Sequence, residues 1–101
     1  MYVLPERNGF YLYDFNKRGF VSRISWNRKA KRLQVAFTRD MRNAERYCQR
    51  SMAILAADKI FKLRPDLDIT IATHLMAWTL NEMHKRQDRE EVAALLNGGD
   101  G

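Results

Sequence analysis

Along this chain the spacing of hydrophobic positions changes near residue 40, from every second residue to every third or fourth. Before that point the pattern is that of strands. Phe10 to Phe15 is aromatic-rich and runs into Asn16-Lys17-Arg18-Gly19, which has turn chemistry. From Phe20 to Trp26 the alternation sets Phe20, Ser22, Ile24 and Trp26 on one face and Val21, Arg23 and Ser25 on the other. After the connection Asn27-Arg28-Lys29-Ala30, the residues Leu33, Val35 and Phe37 alternate with Arg32, Gln34 and Ala36. This predicts a three-stranded antiparallel meander with one apolar and one polar face.

Beyond residue 40 the pattern is helical. Asp40 suits an N-cap, and Met41, Ala44, Cys48, Met52 and Leu55 recur at helical spacing to about Phe61. Lys62-Leu63-Arg64-Pro65 ends this helix, because proline disfavours α geometry in the residue before it. A second helix is predicted from Asp66 or Asp68 to about Gln87, although its β-branched start, Ile69-Thr70-Ile71, also suits a short strand. Asp88 with Glu91 resembles a capping box that opens a short helix through Leu96, and residues 97–101 form a frayed tail. The reading is one α+β domain over residues 1–96, three antiparallel strands followed by two or three helices.

Charge sharpens the picture. Between Asn16 and Arg50 there are eleven Lys and Arg residues against two acids, Asp40 and Glu45, a local charge of +9 in a chain of +6 overall. The remainder therefore sums to −3. Cations concentrated on one third of a small domain favour a polyanionic partner, nucleic acid first among them.

If Leu33, Val35 and Phe37 face the core, Arg32 and Gln34 lie opposite, and Arg23 and Ser25 lie beside them in a hairpin. Arg bonds guanine bidentately and Gln bonds adenine in the same way. Lys17, Arg18, Arg28, Lys29 and Lys31 fall in the flanking turns, where long flexible cations suit phosphate contact. An exposed sheet face also simply needs polar residues, but a solvated face normally mixes both signs, and no acid occurs from Asn16 to Arg39. Arg42, Arg46 and Arg50 recur every four residues, with Arg39 just before them, and would stack on one helix face. That stripe suits phosphates or an acidic protein surface; equally, its stems would cover apolar surface.

The other residues offer little chemistry. Phe20 and Trp26 are expected in the core, whereas the face shared by Tyr11, Tyr13 and Phe15 suits either core or base stacking. His74 and His84 lie ten residues apart, roughly 15 Å along a helix, too far to share a metal, and are expected as surface or half-buried polar residues. Cys48, the single cysteine, excludes an intrachain disulfide and falls on the apolar stripe as a small buried thiol. Asp14 and Asp40 lack a nuclease motif around them. No catalytic residue, cofactor or metal is expected. The N-terminus lacks the features of a secretory signal and no apolar run reaches the ~20 residues of a membrane span, so a cytosolic location is expected. The second helix, residues 68–87, is apolar on more than one stripe, which suits a homodimer or a docked protein partner.

Phe20-Val21-Ser22-Arg23-Ile24, Lys31-Arg32, and Phe37 followed by Ala44 and Tyr47 together resemble a known small fold. It is that of the three-stranded-sheet-plus-helix DNA-binding domains of plant ethylene-response factors, phage integrases (their arm-binding domains) and homing-endonuclease accessory domains. The resemblance spans Gly9 to Phe61 and implies DNA contacts from Arg23, Ser25, Arg32 and Gln34. The family's exposed tryptophan before the second strand is absent, and the chain from Pro65 onward has no counterpart. The expected function is thus non-enzymatic binding of nucleic acid, duplex DNA first. The alternative is a small phage or plasmid accessory protein that inhibits a host nucleic-acid enzyme or defence complex.

Overall fold

The computed structural model describes residues 9–98. Four strands form one antiparallel sheet in the order β3-β2-β1-β4: β1 Phe10–Asp14, β2 Gly19–Asn27, β3 Arg32–Thr38 and β4 Ile69–Thr73. A 3-10 turn, Met41–Asn43, and helix α1, Arg50–Leu63, lie between β3 and β4; helix α2, His74–Gly98, follows. The α+β class holds, with four strands rather than three and two helices. The β-branched run at 69–73 is a strand because β1 offers it a ladder, from Asp14↔Ile69 to Phe10↔Thr73. Asp14 anchors its start by accepting the Asp68 N–H at 3.1 Å.

Helices cover opposite faces of the sheet. Leu12, Val21 and Leu33 pack with Ala53 and Ile60 of α1 on one side. Tyr11, Tyr13, Phe20 and Ala72 pack with Met41 and Ala77 of α2 on the other. Both sides of β1 are therefore core, which explains why Tyr11 and Tyr13 are buried while Phe15, just past the strand, is half exposed.

The long helix expected from Met41 to Phe61 is broken. Asp40 does cap, accepting the Arg42 N–H, but only a 3-10 turn follows. Residues 44–49 then run extended, because Tyr47 exchanges main-chain hydrogen bonds with Phe10 (2.7 and 2.8 Å) and the Glu45 N–H donates to Val21. These bonds to the sheet outcompete local helix propensity. They also carry Cys48 off the core side, and it is exposed rather than buried. At the other end α2 does not restart at Asp88. No glycine or proline interrupts residues 74–97, so it runs unbroken to Gly98, taking in the first two residues of the expected tail; the last three lie outside the described residues. No helix among the described residues is long and apolar enough to cross a membrane.

Candidate nucleic-acid interface

Strand β2 belongs to the sheet only at its root. It pairs with β1 at Tyr13↔Phe20 and Asp14↔Gly19, and past that point β3 is its only strand partner. The β2–β3 hairpin thus leaves the sheet as a two-stranded ribbon. Its register shifts between Val21 and Arg23, with Ser22 as the extra residue of a bulge. The bulge corrects the expected alternation: Phe20 lies on the α2 side of the sheet, whereas Val21, Ile24 and Trp26 lie on the α1 side with Leu33, Val35 and Phe37. Trp26, expected in the core, sits near the ribbon tip and is 53% exposed.

The other ribbon face holds the four residues expected to read DNA. Ser25 pairs with Gln34, Arg23 with Ala36 and Asn27 with Arg32, so Arg23, Ser25, Arg32 and Gln34 are cross-strand neighbours. Neither α1 nor α2 covers them; Arg23, Arg32, Gln34 and Ala36 are exposed. They line an open depression of about 520 Å³ together with Arg64. At the tip, the Asn27 side chain accepts the Ala30 N–H and Lys31 takes a left-handed φ of 51°, which closes the turn and leaves Arg28, Lys29 and Lys31 in solvent.

Arg64, absent from the sequence-based candidates, braces this ribbon. Its Nη1 donates to the Leu33 carbonyl at 3.0 Å, and Nε and Nη2 grip Asp66 at 2.9 and 2.8 Å. Every guanidinium nitrogen is engaged, so Arg64 positions the ribbon rather than offering a free fork. The same guanidinium holds the Asp66 carboxyl down to about 2. The available signal was the local Arg64-Pro65-Asp66 spacing, which says nothing of Leu33.

The remaining cations divide. Lys17 and Arg18 sit at the opposite, root end of the ribbon, and Lys17 Nζ lies 5.8 Å above the Phe37 ring, on the α1 side. Arg39 pairs with Asp88 at 3.1 Å. Arg42 is forked onto Asp40 at 2.8 to 3.2 Å, which holds the Asp40 carboxyl down to about 2. Arg42, Arg46 and Arg50 do not form a stripe: they lie in the 3-10 turn, the extended segment and the first residue of α1 respectively. Arg46 folds over Gly9 so closely that a methyl group there would collide with it. Arg23, Arg28, Lys29, Lys31 and Arg32 make no ion pair among the described residues.

Other chemistry-bearing groups have structural roles. Asp14 is buried and accepts the N–H groups of Asn16, Lys17 and Asp68. His84, expected at or near the surface, is buried between the Tyr13 hydroxyl at 2.7 Å and the Arg39 carbonyl at 2.9 Å. Comparison with protein-family models, curated proteins and solved structures gives no match for this chain.

Proposed function

We propose that this chain binds nucleic acid, with duplex DNA as the ligand, by laying the outer face of the β2–β3 ribbon in the major groove. The observation that carries this reading is the ribbon itself: two strands that leave the sheet, packed on one side and open on the other, with five unpaired cations and no acid. A two-stranded ribbon is one of the elements the major groove admits. Arg23, Arg32 and Gln34 read base edges from the strands, while Arg28, Lys29 and Lys31 contact phosphate from the tip. Neutralising about three phosphates makes log K fall with log salt at a slope of about −2.7. The resemblance to sheet-reading DNA-binding domains rests on these same strand positions and supports the reading.

Fluorescence-anisotropy titration of duplex, single strand and RNA at two salt concentrations tests it. Duplex binding that weakens steeply with salt is expected. No binding to any of the three at low salt removes the proposal.

A second reading, a module that docks on a nucleic-acid enzyme, draws on the outer end of α2. Val92, Leu95 and Leu96 are 55%, 80% and 74% exposed there. Recovery of one stoichiometric protein from nuclease-treated host lysate, with no nucleic-acid binding by the pure chain, would put this reading first.

A further inference from the structure

Trp26 stands apart from the packed side of the ribbon. Closer to the root, Ile24 and its partner Val35 pack on the cluster that α1 closes. Trp26 is the last apolar residue of β2 on that side, and its cross-strand partner Leu33 is buried. The indole is 53% exposed and belongs to neither core cluster. Among the described residues no aromatic ring pairs with it and no cation lies over it.

Its surroundings are cationic. The turn that follows carries Arg28, Lys29 and Lys31, all exposed and without an ion pair among the described residues. The Asn27 side chain and the left-handed Lys31 φ fix this turn, so the three cations stay close to the indole. Trp78, the other tryptophan, is nearly as exposed but lies on α2, with Glu82 one helical turn away. An exposed aromatic ring among cations, with no acid beside them in the chain, is the make-up of a single-strand site. The ring stacks on a base and the cations hold its phosphates.

Direction decides which nucleic acid can use this ring. Past the bulge, side chains alternate along β2, so Arg23 and Ser25 point to the open face and Ile24 and Trp26 to the other. A duplex laid on the open face therefore leaves the indole turned away from its bases. A strand reaches the indole only by leaving the duplex and passing round the tip. A sheet with its side chains is about 10 Å thick, so that passage is short, and it runs over the three tip cations.

We propose that the ribbon tip is a single-strand site and that the preferred ligand is a duplex with an unpaired extension. Trp26 stacks on an unpaired base, Arg28, Lys29 and Lys31 take the phosphates of the departing strand, and Arg23, Arg32 and Gln34 keep the duplex. The inference rests on the duplex reading above and adds a junction to it, a feature that a fully paired duplex does not offer. Stacking tolerates any sequence, because every base has a π-face. The strands thus select sequence in the duplex, whereas the tip selects only the place where pairing stops. One base on one ring strengthens binding by a factor on the order of 10.

Tryptophan fluorescence tests the site in the Trp78→Phe background, where Trp26 is the only tryptophan. The probes are a blunt duplex, the same duplex with an oligothymidine extension, and that duplex with an abasic extension, which keeps the phosphates and lacks the bases. The oligothymidine extension should bind about 10-fold tighter than the abasic one, and it alone should quench the Trp26 emission. Trp26→Ala should bring the two extensions to equal affinity, and Trp26→Phe should keep part of the difference. The quenching is read without altering Trp26, so it stands even where Trp26→Ala misfolds. Equal affinity for the two extensions, with the Trp26 emission unchanged, overturns the inference and leaves the duplex reading in place. Quenching as strong with the abasic extension as with oligothymidine overturns the stacking. Quenching by free oligothymidine, with no binding of any duplex, overturns the duplex reading and the junction with it.

Discussion

Replacing Tyr13 by Phe tests the joint that holds α2 to the sheet. A carbonyl oxygen only accepts, so the 2.9 Å contact between His84 Nδ1 and the Arg39 carbonyl puts the ring proton on Nδ1. In the neutral ring, Nε2 is then an acceptor, and the Tyr13 hydroxyl donates to it at 2.7 Å. Burial raises the Tyr13 pKa, which keeps that donor protonated. Both side chains are under 5% exposed, so in Tyr13→Phe the Nε2 lone pair finds neither a donor nor bulk water. A buried acceptor left without a partner costs about 1–3 kcal/mol. In a domain of this size each kcal/mol lowers Tm by about 4–8 °C, so a fall on the order of 10 °C is expected. The assay is thermal and urea unfolding of Tyr13→Phe, His84→Leu and the double variant. Once His84 is gone the tyrosine hydroxyl has lost its acceptor, so the two effects should fall short of additivity by about 1 kcal/mol or more. A Tyr13→Phe variant within about 0.5 kcal/mol of the unaltered protein, the range of ordinary surface changes, would refute the tautomer and the joint together.

Four further outcomes follow from other residues. Arg23→Ala and Arg32→Ala should each cost about 1–3 kcal/mol of base discrimination, with stability unchanged; loss of fold instead would mean that the ribbon face is structural. Asp14→Ala, which deprives three N–H groups of a carboxylate, should destabilise by about 2–4 kcal/mol in urea titration, whereas a neutral result would contradict its placement. Arg64→Ala should lower both stability and affinity, because it frees the ribbon without removing a reading residue. The guanidinium groups of Arg42 and Arg64 hold the carboxyls of Asp40 and Asp66 at about 2, below the ordinary value of 3.8. Their stabilisation is therefore complete above about 4 and is lost as pH falls toward 2, and Asp66→Asn should flatten that acid limb.

The ribbon was legible because its information is local. Alternation from Lys31 to Phe37 and from Arg23 to Trp26 is enough to place Arg23, Ser25, Arg32 and Gln34 on one face. The same alternation misplaced Phe20, since a bulge at Ser22 changes the phase and leaves no clear mark in composition. Elsewhere the deciding contacts are distant in sequence. Tyr47 turns residues 44–49 into extended chain by bonding to Phe10, and β4 depends on β1 fifty-nine residues back. His84 was read from its helix neighbours alone, whereas its burial comes from Tyr13 and Arg39. Helical spacing is satisfied equally by a helix that forms and by one that a sheet contact prevents. The Arg42, Arg46 and Arg50 stripe failed for that reason.

The open face of the ribbon has a consequence for how such a protein can change. Arg23, Ser25, Arg32, Gln34 and Ala36 answer to whatever they touch in solvent, while Ile24, Leu33, Val35 and Phe37, one position away on the same strands, answer to α1. Substitutions on the first set leave the fold almost untouched, and those on the second are felt by the core. Selection can therefore rewrite recognition on alternate residues while keeping the intervening ones fixed. Divergent descendants of this chain should show that two-residue rhythm of variable and constrained positions from Arg23 to Phe37.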